Sequence, residues 1–164
     1  MKQLLSGLKI FIIFFALLLS TAVLPAGAGD ATAPNFALYD INSKRHVFYD
    51  VLKKLPSRGR LILNFTSVYC APCKKEIPAL LSIVAEKKAH RLLCVYAEAA
   101  AVARAGAKKM RVLSHAFVDP FGAVRKRLSV EKIPVTLVIS KQGRILGRFT
   151  SYNEKNIADL KKLL

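Results

Sequence analysis

Alternating apolar and polar segments divide the chain into short strands and helices. Residues 61–65 form a run of strand length, and residues 91–97 form a second run that is apolar on both faces. Such runs are typical of parallel strands covered by helices. Between the two runs, apolar residues at i, i+3, i+4 and i+7 predict a helix with one buried face: Ile77, Leu80, Leu81 and Val84. We expect this helix to end near His90.

The remaining pattern predicts two hairpins and four more helices. The hairpins are 36–41 with 46–48 around a turn at 42–44, and 135–139 with 145–149 around a turn that contains Gly143. The helices are 49–55, 98–112, 123–128 and 153–164, and the second of them is broken by Gly106. Strands that alternate with helices and end in an antiparallel hairpin predict an α/β fold with a mixed sheet.

The first 28 residues have the pattern of an export signal. Lys2 and Lys9 precede ten uncharged residues at 10–19, and a small-residue stretch follows that ends at Ala28. This pattern predicts either a signal peptide cleaved after Ala28 or a retained membrane anchor, because residues 4–24 approach the ~20 needed to cross a bilayer. Residues 29–33 are predicted as a short linker, and residues 34–164 as the folded domain.

The charge of the chain is strongly basic, with a formal net charge of +17. Removing residues 1–28 takes away two lysines and leaves 136 residues with a charge of +15, a size that suits one domain. The basic residues are scattered in pairs and triples without interleaved aromatics, which argues against nucleic-acid binding. An anionic membrane surface or an acidic partner fits this charge, and so does a merely solvated basic surface.

Two of the three cysteines form a Cys-x-x-Cys pair at the predicted start of the helix. The unpaired N–H groups of a helix N-terminus favour a thiolate, so Cys70 is the candidate nucleophile. Cys73 lies one turn further on the same side, where it can resolve a mixed disulfide made by Cys70. Pro72 suits the first helical turn. Cys94 lies in the apolar segment 91–97 and is predicted to be a core residue.

A zinc site is the alternative interpretation of the two paired cysteines. A closed structural zinc site needs four ligands. The other candidate ligands form no second paired motif, and they are Cys94, His46, His90 and His115. The pattern therefore favours redox chemistry without a metal, and the three histidines are interpreted as surface or structural residues.

Segments around the cysteines resemble a known protein family. Asn64-Phe65 and the segment 69–78 (YCAPCKKEIP) resemble the active site of the TlpA, ResA and CcmG type of thioredoxin-like proteins. Residues 33–36, 118–122 and 133–136 resemble its opening, a later turn and its cis-proline loop, so the resemblance spans about 34–164. It implies a thioredoxin-like fold, with a central mixed sheet, helices on both faces and an N-terminal β-hairpin extension. Tyr69 replaces the tryptophan that is usual before the first cysteine.

The resemblance also implies roles for residues beyond the cysteines. Glu76 matches a glutamate of the active site in ResA-like proteins and would modulate ionisation of Cys73, whereas a solvent-facing glutamate stabilising the helix start is the alternative. Asn64 stands where thioredoxin has a buried aspartate, which favours the first role. A cis bond before Pro134 would place the backbone of Ile133 beside Cys70 as an edge for an extended client segment. Tyr69 and Ile133 are the predicted substrate-binding residues.

Together these features predict an exported thiol-disulfide oxidoreductase, periplasmic or anchored to the outer face of the membrane. It would reduce disulfides of protein clients, with cytochrome c maturation as one candidate process. It would be re-reduced by a protein electron donor and need no dissociable cofactor. A non-catalytic client-binding module is one alternative. A copper-delivery protein, as in Sco-like relatives of the fold, is another, although that activity would need a Cys-x-x-x-Cys spacing.

Overall fold

A computed structural model describes residues 31–164, so the predicted signal or anchor at 1–28 lies outside the described residues. The seven strands are β1 Ala37–Asp40, β2 Arg45–Val47, β3 Arg60–Thr66, β4 Arg91–Tyr96, β5 Ala116–Val118, β6 Val135–Ser140 and β7 Ile145–Thr150. The helices are α1 Phe48–Lys53, α2 Ala71–Glu86, α3 Ala100–Lys109, α4 Ala123–Arg127 and α5 Glu154–Lys162, and a 3₁₀ turn covers Leu113–His115. Across residues 31–164, none of the helices is long and apolar enough to cross a membrane.

All seven strands belong to one mixed sheet, in the order β2-β1-β5-β4-β3-β6-β7. Strands β3, β4 and β5 run parallel, and β6 and β7 continue the sheet in antiparallel pairing. The antiparallel hairpin of β1 and β2 extends the opposite edge through an antiparallel pairing of β1 with β5. The predicted mixed sheet and its N-terminal hairpin are therefore confirmed.

Helices cover both faces of the sheet, as predicted. Because successive strand residues point to opposite faces, Leu61, Leu63 and Phe65 of β3 pack with α1 and α4 in one apolar cluster. Ile62 lies in a second cluster with α2, α3 and α5. The continuous apolar character of β3 and β4 follows from this double coverage, since both of their faces are removed from water.

The active-site helix α2 differs slightly from its prediction. It ends at Glu86 rather than near His90. Its buried apolar face is formed by Cys73, Ile77, Leu80 and Ile83, whereas Leu81 and Val84 are only partly buried. At 100° per residue, Leu81 falls at the margin of this stripe. Val84 lies within the stripe, but in the last turn of the helix, which ends at Glu86.

Residues 31–33, which the sequence predicts as linker, are tied to the β6–β7 hairpin. The Ala33 N–H donates to the Gly143 carbonyl at 2.9 Å, and the Ile145 N–H donates to the Ala31 carbonyl at 2.9 Å. The Tyr49 hydroxyl donates to the Ala33 carbonyl at 3.0 Å, and Ala33 is buried. This short alanine- and threonine-rich segment carries no strand pattern, so its backbone pairing could not be predicted.

Gly106 does not break the helix, contrary to the prediction, because α3 runs through it. A Cβ atom at this position would overlap Cγ1 of Val68, a residue of the loop between β3 and α2. The glycine therefore permits a close approach between α3 and the active-site loop, and this packing offsets its low helix propensity.

We predict that Gly106→Ala destabilises the protein. Helix propensity alone would stabilise the variant by about 1 kcal/mol. Overpacking against Val68 should cost more, so the free energy of unfolding should fall by about 1–2 kcal/mol in urea denaturation with the disulfide intact. Ala105→Gly, an exposed position on the same helix, calibrates the propensity contribution. A stabilised Gly106→Ala variant would contradict the close packing.

Candidate active site

The two cysteines lie where β3 leads into α2, at the carboxyl end of a central strand. Cys70 is the N-cap of α2, and its sulfur accepts a hydrogen bond from the Cys73 N–H at 3.2 Å. The two residues form a disulfide with a Cα–Cα distance of 5.3 Å. The cysteines thus occupy the helix start expected from their spacing, and the structure represents the oxidised form of the pair.

The two sulfurs differ in their exposure to solvent. Cys70 is half-buried, whereas the side chain of Cys73 is fully buried against the sheet. An incoming thiol or disulfide can therefore reach the Cys70 sulfur but not the Cys73 sulfur. This difference in exposure is compatible with one attacking and one resolving sulfur.

The helix start also favours negative charge at Cys70. No acidic residue lies in the first turn of α2, and Lys74 and Lys75 follow the disulfide as exposed cations. The Cys73 N–H and the partial positive charge of the helix N-terminus point at the Cys70 sulfur. Surroundings of this kind generally favour the thiolate over the thiol at a reduced cysteine.

Glu76 is buried, so the alternative of a solvent-facing glutamate is wrong. It is 2% exposed and lies between α2 and the sheet. The Asn64 amide donates to Oε2 of Glu76 at 2.9 Å, and the Thr136 hydroxyl donates to Oε1 at 2.8 Å. The same Asn64 amide donates to Oγ1 of Thr136 at 2.9 Å, which closes a buried polar triangle.

Burial raises the pKa of the Glu76 carboxyl above its ordinary value of 4.5. The hydrogen bonds from Thr136 and Asn64 oppose this effect, because they stabilise the charged form. The carboxyl lies one helical turn beyond Cys73 on the same buried face. The Glu76 carboxyl therefore holds its proton to a higher pH than an exposed glutamate does.

Sheet register explains how the polar triangle is assembled. Asn64 of β3 is paired directly with Thr136 of β6. Both residues share the face of Ile62 and Val138, which α2 covers. Sequence reasoning included Thr136 in the segment 133–136 but assigned it no role, although it is a polar residue within the apolar strand VTLVIS. The signal was present, but the antiparallel pairing of β3 with β6 was needed to interpret it.

Ile133 and Pro134 lie at the same edge of the sheet as the disulfide. Their peptide bond is cis, and Pro134 is buried while Ile133 is half-buried. Because β6 is antiparallel to β3, the loop that precedes β6 is adjacent to the loop that follows β3. A groove of about 590 Å³ opens beside these two residues and is also lined by Thr150 and Ser151.

Tyr69 is 80% exposed immediately before Cys70. Its N–H donates to the Ser67 hydroxyl oxygen at 3.1 Å, and the Ser67 hydroxyl donates to the Glu98 carboxylate. Ser67 follows β3 and Glu98 follows β4, so the parallel pairing of these strands brings the two residues together. Sequence reasoning missed both residues, because neither belongs to a recognisable motif.

Cys94 is fully buried on β4, paired in register with Asn64. Burial raises the pKa of its thiol strongly, and the nearby Glu76 carboxylate raises it further. The thiolate is therefore disfavoured at this site. These surroundings agree with the core role predicted for Cys94.

Each of the three histidines has its own partner, and none of these partners is Cys70 or Cys73. His46 Nε2 is 3.0 Å from a carboxylate oxygen of Asp40, and His115 Nδ1 is 3.1 Å from the Leu92 carbonyl oxygen. His90 Nδ1 accepts a hydrogen bond from the Arg60 N–H at 3.0 Å. Residues 31–164 contain no group of three or more His, Cys, Asp or Glu side chains placed to hold a metal ion.

Sequence comparison supplies the family of the protein. The profile of the AhpC/TSA family matches residues 30–148. The chain belongs to this family. Over 144 residues it is 30% identical to the thiol-disulfide oxidoreductase ResA of Bacillus subtilis, and the match covers 80% of this chain and 73% of that protein. This AhpC/TSA family member is therefore a thiol-disulfide oxidoreductase of the ResA type, as the resemblance implied.

Solved structures of related proteins share the fold. A candidate thiol:disulfide interchange protein DsbE from Chlorobium tepidum superposes with a TM-score of 0.72 at 20% identity, covering 84% of this chain and 96% of that chain. The thioredoxin domain of a thiol-disulfide oxidoreductase from Bacteroides vulgatus gives a TM-score of 0.68 at 16% identity, covering 82% and 96%. The predicted thioredoxin-like fold is confirmed.

We predict that Glu76→Gln changes the pH dependence of stability of the oxidised protein. The pKa of Glu76 is higher in the folded state than its ordinary 4.5. The contribution of this group to the free energy of unfolding is therefore fully present below the ordinary pKa and is lost as pH rises through the folded pKa. A glutamine cannot ionise, so the free energy of unfolding of the variant should rise relative to the parent over that interval.

Urea unfolding at several pH values between about 4 and 8 measures this effect. Glu86→Gln, an exposed position at the end of α2, is the matched control and should follow the parent. If the curves for Glu76→Gln and the parent stay parallel, Glu76 does not titrate differently in the folded protein.

Proposed function

We propose that this protein is an exported reductant of disulfides in client proteins, with Cys70 as the nucleophile and Cys73 as the resolving thiol. The observation that supports this assignment is the exposure of the two sulfurs, half-buried at the helix N-cap and fully buried behind it. The confirmed family makes a protein disulfide the natural substrate class. No dissociable cofactor takes part in the proposed cycle, because the electrons move through sulfur alone.

In the proposed cycle, the Cys70 thiolate attacks one sulfur of the client disulfide. A mixed disulfide forms, and the other client sulfur leaves as a thiolate. The Cys73 thiolate then attacks the Cys70 sulfur, which forms the Cys70–Cys73 disulfide and releases the second client sulfur. The client gains two electrons and the enzyme loses two. A dithiol protein donor returns two electrons to the enzyme by the same exchange in reverse.

Glu76 is the proposed proton acceptor for Cys73. A buried thiol must lose its proton before it attacks, and burial disfavours the resulting charge. Glu76 lies on the same buried face one turn away, and burial raises its pKa above the ordinary value of a glutamate. The hydrogen bonds from Asn64 and Thr136 hold its carboxylate in place. We assign Glu76 the transfer of this proton in both directions of the cycle.

Client binding is assigned to the residues around the exposed sulfur. The backbone of Ile133 lies in the loop before β6, next to the active-site loop, and Pro134 lacks an N–H that would need a partner. Tyr69, the residue immediately before Cys70, presents an exposed aromatic ring. An extended segment that contains the client disulfide would lie across these residues.

The sequence of residues 1–28 supports export, either by cleavage after Ala28 or with this segment retained as a membrane anchor. The net charge of +17 supports attraction to an anionic membrane surface or to an acidic partner. Cytochrome c maturation is one process that requires reduced client cysteines outside the cytoplasm. Mass spectrometry of the N-terminus of the mature protein decides between cleavage and anchoring.

We predict that Cys73→Ser traps a covalent complex with a disulfide-containing test protein such as insulin. Without the second thiol, the mixed disulfide at Cys70 has no internal route to resolution. Gel electrophoresis without reductant should show a one-to-one adduct that dithiothreitol removes.

Two further variants serve as controls for the trapped complex. The adduct should be absent from a Cys70→Ser, Cys73→Ser double variant. It should persist in a Cys73→Ser, Cys94→Ala double variant, because Cys94 is fully buried. An adduct that forms without Cys70 would rule out the assigned nucleophile.

We predict that the Cys70–Cys73 pair has a reducing midpoint potential, below about −200 mV. Equilibration of the parent protein with glutathione buffers, followed by alkylation and mass spectrometry, measures the reduced fraction at each ratio. A potential close to about −120 mV, which is typical of a strong oxidant, would refute the reductant assignment while leaving the enzyme class in place.

A further inference from the structure

The large exposed apolar side chains of residues 31–164 share one end of the sheet. They are Tyr39, Tyr69, Val102 and Phe121, with exposures of 47%, 80%, 41% and 95%. The last three follow the carboxyl ends of β3, β4 and β5 respectively, and these parallel strands end at the same edge. Tyr39 is paired with Val118, the last residue of β5. The same edge carries Cys70.

A groove at this end lies between the active-site loop and α3, on the side of β3 opposite to Ile133. It encloses about 510 Å³ and is lined by Val68, Tyr69, Val102, Met110, Lys74 and Lys109. Gly106 lies at its base, where α3 approaches Val68 closely. The groove is continuous in sequence with the disulfide, since Tyr69 and Lys74 stand on either side of Cys70 and Cys73.

The charge of the groove is positive and unbalanced. Lys74 and Lys109 line it, and no carboxylate does. Neither lysine is within ion-pair distance of a carboxylate in the part of the chain that the structure describes. An apolar floor between two free cations matches a ligand segment that carries a large apolar side chain beside carboxylates.

Charge also argues against two other occupants of the groove. The N-terminal segment 1–28 contains Lys2 and Lys9 and no carboxylate, so it would bring like charges to the lysines. A second copy of a chain with a net charge of +17 would do the same. An acidic segment of another protein is the complementary partner.

We propose that the groove between Tyr69 and α3 selects clients by binding an acidic segment with one large apolar side chain, next to the client disulfide. This inference rests on the proposed function, because it assigns substrate selection at the same site. The groove is a second contact surface, on the β4 side of the disulfide. The backbone of Ile133 is the first, on the β6 side. Clients would be held on both sides of Cys70.

The test uses three peptides, each with one cysteine in mixed disulfide linkage to 2-mercaptoethanol. The first carries a phenylalanine between two glutamates, the second has lysines in place of the glutamates, and the third has serine in place of the phenylalanine. Each peptide is made in two versions, one with this three-residue segment (the triplet) before the cysteine and one with it after the cysteine. The reduced full-length protein should react with the first peptide at least about threefold faster than with the other two.

Charge reversal on α3 then locates the preference. Lys109→Glu should abolish or invert the ratio of rates between the acidic and the basic peptide. Lys108→Glu makes the same charge change on the adjacent exposed residue outside the groove, and it should change that ratio less than twofold. Equal effects of the two variants would overturn the proposal, because a general charge effect would then explain the preference.

A second experiment tests the apolar part of the groove by substituting Val102. Val102→Ser should remove the advantage of the phenylalanine peptide over the serine peptide, whereas Ala101→Ser on the exposed side of the same helix should keep it. Loss of the advantage in both variants, or no advantage in the parent at either triplet position, would overturn the proposal.

A neutral disulfide and a non-reactive peptide separate this inference from the proposed function. If the parent fails to reduce bis(2-hydroxyethyl) disulfide, the reductant assignment fails. Fluorescence anisotropy of the acidic peptide, with serine in place of its cysteine, then still reports the groove. Stronger binding to Lys108→Glu than to Lys109→Glu supports the docking surface, and equal binding overturns it.

Discussion

The pairing of β3 with both of its neighbours positions the whole active site. Its parallel pairing with β4 and antiparallel pairing with β6 place three loops at one edge: the disulfide loop, the loop after β4 and the loop before β6. Each loop brings one component, namely Cys70, Glu98 and Pro134. Because the register of the sheet is fixed by buried apolar residues on both faces, these components need no flexible segment to meet.

A carboxyl group under the active-site helix is a costly feature that the fold accommodates. Burial of Glu76 disfavours its charge, and hydrogen bonds from Asn64 and Thr136 only partly compensate. An apolar residue at this position would fill the same space between α2 and the sheet without that cost. The retention of a titratable group there fits a site in which protons move with electrons, and function and stability then make opposing demands.

The sequence predicted those parts of the structure that depend on local pattern. The apolar runs of β3 and β4, the hairpins and the start of α2 at the cysteine pair follow from periodicity and capping, and the resemblance supplied Glu76, Ile133 and Pro134. The role of Thr136, the role of Glu98 and the contact of Gly106 with Val68 were missed. These contacts depend on strand register and helix packing between residues far apart in the chain, which a local pattern does not specify.

The unequal burial of the two sulfurs has a consequence for how the protein meets its partners. Because only one sulfur is reachable, every protein that exchanges electrons with this enzyme must bind at the same surface. Oxidised clients and the reduced electron donor therefore compete for this surface, and only one of them can bind at a time. The relative concentrations of clients and donor would then determine the fraction of the enzyme in the reduced form.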